Sequence, residues 1–129
     1  MNIMFMFLVM ILLHIVDDFY LQGILATMKQ KDWWRKQEWF NKLYEDDWVT
    51  ALIEHAFSWT FMVMLPIAWY YYHFQVDDMF VIGFFINTTI HAIIDHLKAN
   101  NKMINLYTDQ FIHLIQIIAT LSIYGMKFE

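Results

Sequence analysis

Histidine and aspartate residues stand four positions apart at three places in the sequence. The pairs are His14 with Asp18, His91 with Asp95 and, in the reverse order, Asp109 with His113. Residues at this spacing lie one turn apart on the same face of an α-helix. Imidazole nitrogens and carboxylate oxygens together are ligands for zinc, manganese or iron. The spacing therefore predicts paired metal ligands on helices.

The elements that would carry these pairs are membrane-spanning helices. The 129 residues are 60% hydrophobic and 19% aromatic, which is too apolar for a soluble domain of this size. Four apolar runs cover residues 3–25, 49–72, 79–97 and 106–124, and each could cross a hydrocarbon core of roughly 30 Å as a helix. We therefore predict an all-α fold, an integral membrane four-helix bundle that forms one domain over residues 1–129. The net charge of −5 argues against nucleic acid as a partner, and the absence of cysteine restricts a metal to nitrogen and oxygen ligands.

The segment between the first two runs mixes aromatic and charged residues. Trp33, Trp34 and Trp39 stand there among lysines, arginine and acidic residues, which predicts an interfacial amphipathic helix over about residues 30–47. Every lysine and arginine except Lys127 lies in the first or the third connection. This asymmetry predicts a protein of the cytoplasmic membrane with both termini outside the cytoplasm. The predicted site then lies toward the cytoplasmic side.

Alternation of the four helices brings the His/Asp pairs to a common depth. The fourth run is antiparallel to the first and the third, and its pair is also reversed, so each aspartate lies near the rim and each histidine roughly 6 Å deeper. The second run adds Glu54 and His55 at a matching depth, and Asp17 is expected to face outward or to lie behind Asp18. So many ionisable groups at one depth in a membrane indicate a functional site. The predicted metal ligands are His14, Asp18, His55, His91, Asp95, Asp109 and His113. They would hold one or two divalent ions, with zinc favoured and manganese or iron as alternatives.

Metal-dependent hydrolysis is the preferred functional prediction. The bond would be a phosphoester or acyl bond in a lipid-like or membrane-proximal substrate, and membrane lipid is the expected surrounding partner. Glu54 or a non-ligating aspartate would act as general base, and Lys98 would bind the charge of the substrate. One alternative is a metal-binding or transport protein. Another is a non-enzymatic membrane accessory protein, in which the polar network fixes helix packing. A homo-oligomer is also left open.

The order of these motifs resembles a family of small bacterial and phage integral membrane proteins known as a domain of unknown function. The family pattern is His-x-x-x-Asp-Phe-x-Leu-Gln in the first span, a histidine in the second, His-x-x-x-Asp-x-x-Lys in the third and Asp-Gln-x-x-His in the fourth. Here these are residues 14–22, His55, residues 91–98 and residues 109–113. The resemblance implies the site, and it implies no reaction. A looser similarity to predicted membrane-bound metal-dependent hydrolases is an analogy of His and Asp on spans.

Overall fold

The computed structural model describes residues 2–128, which form helices joined by turns and short irregular connections. No residue in that range lies in a β-strand, so the predicted all-α class is confirmed. The helices are α1 (Ile3–Ile15), α2 (Leu25–Met28), α3 (Lys31–Arg35), α4 (Asp47–Tyr70), α5 (Asp78–Ala99) and α6 (Leu106–Lys127). A short π-helical turn, Val16–Leu21, continues α1, and a 3-10 turn at Lys42–Tyr44 precedes α4.

Three helical segments of the described residues are long and apolar enough to cross a membrane. They are Ile3–Leu21, Lys42–Tyr70 and Asp78–Ala99, which correspond to the first three predicted spans. Helix α6 occupies the position of the fourth predicted span with 22 residues, and it is not one of the three. Its first half carries several polar side chains, which lower its hydropathy.

The first connection differs from the predicted single helix over residues 30–47. Within that range Lys31–Arg35 is α-helical, turns and the 3-10 turn follow, and α4 begins at the last residue, Asp47. The rings of Trp33, Trp34 and Trp39 pack on one another, with centroids 5.0–6.5 Å apart. The Trp34 indole also donates to the carbonyl of Met28 at 2.6 Å. Edge-to-face contacts favour a compact aromatic cluster, because they bury ring surface that a straight helix would leave apart.

The first and third connections meet at one end of the molecule. The Asn100 side chain, at the end of α5, donates to the carbonyl of Lys29 at 3.0 Å and accepts the backbone N–H of Lys31 at 2.7 Å. At the opposite end, Lys127 donates to Asp77. This ammonium, together with the backbone N–H of Phe80, holds the pKa of Asp77 below its usual range.

The four long helices divide their shared interior into an apolar half and a polar half. Helix α4 packs against α1 and α5, and α6 packs against the same two helices. Fully buried side chains such as Met6, Ile67 and Ile117 fill the half near the Asp77–Lys127 end. The half near the first and third connections holds the polar residues.

Candidate metal centre

Ten ionisable side chains lie in the polar half of the interior. Histidines and aspartates supply most of them, and all of these are at most 5% exposed apart from Lys98, whose side chain is 25% exposed. Charged residues are almost never buried unless they are paired. The group consists of His14, Asp17, Asp18, Lys29, His55, His91, Asp95, Lys98, Asp109 and His113.

The three predicted His/Asp pairs are each in contact within their own helix. Ring nitrogen and carboxylate oxygen are 3.6 Å apart in His14–Asp18, 3.9 Å in His91–Asp95 and 3.3 Å in Asp109–His113. These contacts follow from the one-turn spacing on a helical face. The pairs are therefore formed as the sequence predicts, and α4 adds His55 between them.

Two overlapping groups of side chains could hold a metal ion. Asp18, His55 and His91 form one group, and His91, Asp95 and His113 form the other, with one possible ligand atom from each residue within 4.8 Å of the others. We call these five residues, together with Asp109, the His–Asp cluster.

His55 lies at the centre of the His–Asp cluster. Its Nε2 is 3.3 Å from Asp18 Oδ1, 3.2 Å from Asp95 Oδ2 and 3.3 Å from His91 Nε2. Four helices thus send donor atoms to one small volume. Such convergence is what three protein ligands around one ion require.

Several buried atoms of the His–Asp cluster have no hydrogen-bond partner among the described residues. They are Nδ1 of His55 and of His91, both ring nitrogens of His113, and Oδ1 of Asp109. Two of these atoms, His113 Nε2 and Asp109 Oδ1, lie 3.3 Å apart without forming a hydrogen bond, and native proteins leave few buried polar atoms unpaired. An ion bound by both atoms would give each of them a partner. The donor set therefore fits a divalent metal ion.

Two lysines provide positive charge beside the cluster. The ammonium of Lys29 lies 2.5 Å from Asp95 Oδ2, and that of Lys98 lies 2.5 Å from Asp109 Oδ2 and 3.8 Å from Asp95 Oδ1. Lys98 was predicted at the site from its spacing to Asp95. Lys29 has no comparable spacing to a motif residue, and its charge indicates only topology. A signal for its position is Gln22 at the end of the first motif, because Gln22 Oε1 accepts a hydrogen bond from Lys29 at 3.1 Å.

His14 lies beside the His–Asp cluster with both ring nitrogens engaged. The indole N–H of Trp59 donates to His14 Nδ1 at 2.7 Å, so this nitrogen is unprotonated and Nε2 carries the proton. His14 Nε2 is 3.0 Å from Gln110 Oε1, and the Gln110 amide in turn donates to Asp18 at 3.0 Å. His14 therefore orients its neighbours in this structure, and its role as a metal ligand stays a prediction.

Trp59 was missed by the sequence reasoning, although it forms one wall of the cluster. Its ring stacks on His91 at a centroid distance of 4.2 Å, and His91 stacks on His113 at 4.1 Å. Trp59 is fully buried. Its position four residues after His55 on α4 was the signal that could have placed it on the same face.

Asp17 and Asp18 both face the interior because the helix widens there. An α-helix turns consecutive side chains about 100° apart, whereas the π-helical turn Val16–Leu21 has more residues per turn. Asp17 is fully buried, accepts a hydrogen bond from Ser58 at 2.5 Å and lies 3.8 Å from His55 Nδ1. Of the two positions expected for Asp17, the structure shows the one behind Asp18.

The remaining predicted site residue, Glu54, is not brought to the cluster. Glu54 is exposed, whereas the next residue along α4, His55, is fully buried. Consecutive positions on a helix do not share a face, which accounts for the difference. The expectation that Glu54 is the general base therefore has no geometric support.

Comparison with known proteins gives one family match. A family model described as "Protein of unknown function (DUF3307)" matches residues 6–129. No curated protein and no solved structure matches the chain. The match agrees with the resemblance expected from the His/Asp motifs, and the looser similarity to metal-dependent hydrolases is not shown.

Proposed function

From the premise that the chain belongs to the DUF3307 family of unknown function, we propose that it is a membrane-embedded metal-dependent hydrolase. It would hydrolyse a phosphoester or acyl bond, and its substrate would be a lipid-like or membrane-proximal molecule. The observation that carries this proposal is the convergence of buried nitrogen and oxygen donors from four helices on one volume.

The charge of the site supports a single divalent ion. Four buried carboxylates, those of Asp17, Asp18, Asp95 and Asp109, face the two ammonium groups of Lys29 and Lys98. With neutral imidazoles this leaves two uncompensated negative charges, which one divalent cation would balance. Buried charge without compensation is costly, so the protein has a physical reason to bind such an ion.

The residues that would hold the ion are those of the two overlapping groups. His91 belongs to both, and Asp18 with His55 or Asp95 with His113 would complete the set. Zinc is favoured, and manganese and iron also accept this mixture of ligands. A bound ion would supply Lewis-acid polarisation of the scissile group and activation of water.

The chain's own side chains supply the remaining functions. Lys98 is the most exposed charged group of the site, so its ammonium is placed to bind an anionic group of the substrate. Asp109 replaces Glu54 as the proposed general base, because its Oδ1 is buried and faces His113 Nε2 at 3.3 Å without accepting a hydrogen bond from the described residues. Trp59 stacks on the His91 ring, as His113 also does, and excludes water from the face that it covers.

A four-span arrangement in the membrane is part of the proposal. The outer face of α6 is apolar, with Phe111, Ile115 and Ile118 each about half exposed, and this supports α6 as the fourth span. The contact of Asn100 with the first connection supports a common side for the two lysine-rich connections. By the positive-inside rule this side would be cytoplasmic, with both termini outside.

Metal content of the detergent-purified protein tests the proposal. After stripping and reloading with zinc, manganese or iron, elemental analysis should find near-stoichiometric metal in the wild type. His91→Ala should lose it, because His91 belongs to both ligand groups. The matched control is His96→Ala on the same helix, since His96 stacks on Trp48 and is in neither group. Metal at background level in a folded wild type would refute the proposal.

Metal-loaded protein is then tested on a panel of phosphoesters and acyl esters in mixed micelles. Turnover that needs metal and disappears in Asp109→Asn would support hydrolysis. Stoichiometric metal without turnover of any panel member would refute the hydrolase proposal and favour metal binding or transport.

A non-enzymatic accessory protein is the second candidate, and the lysine contacts favour it. Lys29 and Lys98 join the first connection and α5 to carboxylates on α5 and α6, as expected of a network that fixes helix packing. In that case charge changes in the first connection should alter function more than His91→Ala does. The metal analysis separates the two candidates.

A further inference from the structure

A groove of about 470 Å³ runs along the outer surface between α5 and α6. Tyr124, whose hydroxyl donates to the carbonyl of Met79 at 3.2 Å, closes one end. Ile90 and Ile112 lie at the other end, and each is the residue before a histidine of the His–Asp cluster. From Met79 to Ile90 a helix rises about 16 Å. The groove thus begins beside the cluster and follows the helices toward the opposite end.

Gln116 lines this groove, and its buried side-chain oxygen has no hydrogen-bond partner among the described residues. Gln116 is 7% exposed, and its amide nitrogen donates to both the backbone carbonyl and the side-chain oxygen of Asn87, each at 2.8 Å. These two bonds fix the orientation of the amide, so Oε1 is left as an unpaired acceptor. Leaving a buried acceptor unpaired costs about 1–3 kcal/mol. The atom therefore points to a hydrogen-bond donor that the described chain does not supply.

We propose that the groove holds the alkyl chain of the substrate, with a hydroxyl or amide N–H of that substrate donating to Gln116. This inference rests on the proposed hydrolase function and narrows the substrate to an amphiphile with a long chain. Gln116 is three residues from His113, so the donor would lie about one helical turn from the cluster. The groove length of about 16 Å is close to half of a roughly 30 Å hydrocarbon core.

The lining agrees with an alkyl occupant. Ile82, Ile86 and Ile115 line the groove beside Gln116, and its size is within the range of roughly 300–1,000 Å³ typical of small-molecule sites. A second groove of about 490 Å³ lies between α4 and α5. Its threonines Thr88 and Thr89 donate to their own helix, and its lining includes none of the unpaired buried atoms of residues 2–128. The α5–α6 groove alone of these two combines an apolar channel with an unsatisfied acceptor.

Photolabelling with a monoacylglycerol that carries a diazirine in its alkyl chain tests the inference. In metal-loaded protein, labelled peptides should come from α5 and α6. Ala119→Phe places a ring in the groove and should reduce this labelling at least fivefold. Ile118→Phe is the matched control, because Ile118 is exposed on the same helix and does not line the groove. A hydrocarbon probe of equal length without a donor should label the groove less than the monoacylglycerol.

Metal content is measured in the same samples to separate the two proposals. Bound metal with equal labelling of wild type and Ala119→Phe, or with label spread over every exposed apolar face, would overturn the groove assignment and leave the metal site intact. Absence of metal in the folded wild type would overturn the hydrolase and, with it, the substrate assignment. If Ala119→Phe does not fold, Ile86→Phe narrows the groove from α5 and serves as the second variant.

Discussion

Replacing Lys29 by methionine should destabilise the metal-free protein by about 3 kcal/mol. The ammonium of Lys29 is 2.5 Å from Asp95 Oδ2, and the two side chains are 7% and 1% exposed. At an effective dielectric near 20, the attraction across that distance is roughly 6–7 kcal/mol before desolvation is subtracted. Removing one partner of a buried pair typically costs about 3–5 kcal/mol. We expect the lower value, because the Lys98 ammonium remains 3.8 Å from the other oxygen of Asp95.

The assay is equilibrium unfolding in detergent with increasing sodium dodecyl sulfate, followed by helical circular dichroism in the presence of a chelator. Lys102→Met is the control, since Lys102 and Asp32 form an exposed pair with side chains 72% and 56% accessible. Such a pair contributes about 0–1 kcal/mol. Adding Asp95→Asn to Lys29→Met should recover part of the loss, because a neutral amide needs no counter-charge.

Equal stabilities of Lys29→Met and Lys102→Met without metal would refute the electrostatic reasoning. The same titration with zinc bears on the proposed ion. If a divalent cation balances the carboxylates, the loss caused by Lys29→Met should shrink when zinc is present. An unchanged loss in zinc would show that the ion does not compensate Asp95.

Three smaller predictions follow from single contacts. Trp59→Phe should cost about 1–2 kcal/mol in the same unfolding assay, because His14 Nδ1 loses its donor while ring stacking is retained. Gly83→Ala should destabilise by about 1–3 kcal/mol, since a Cβ there would overlap the hydroxyl of Tyr124, and Tyr124→Phe should restore much of the loss. Because the folded-state pKa of Asp77 is lowered by its lysine partner, the stabilisation that this pair provides is present above about pH 4 and is lost as the pH falls through the folded pKa. Asp77→Asn should therefore flatten the acid limb of a stability profile measured between pH 2 and 6.

The convergence of the cluster could be predicted because it depends only on the helical spacing of residues and on the alternating direction of successive long helices. Four-residue spacing places His91 and Asp95 on one face, and helix alternation brings the reversed pair of α6 level with them. Hydropathy located the long helices to within a few residues, since each apolar run is close to or above the length needed for a span. The role of these side chains as metal ligands stays a prediction.

The parts that could not be predicted depend on local departures from regular geometry or on contacts between distant segments. Asp17 joins Asp18 inside only because the helix becomes π-helical, and no residue type marks that change. Lys29 reaches Asp95 because the first connection folds back onto Asn100. The predicted interfacial helix failed because ring-on-ring packing among the tryptophans outweighed local helix propensity.

The distribution of the cluster over α1, α4, α5 and α6 also has a consequence for biogenesis. Side chains from the first long helix cannot meet those of α6 until this last helix has left the ribosome and docked against α1 and α5. Until then Asp18, in the π-helical turn that continues α1, and Asp95 of α5 lack part of their final surroundings. Completion of the site is thus a late event in synthesis, and occupancy by a cation would report that every long helix has reached its place.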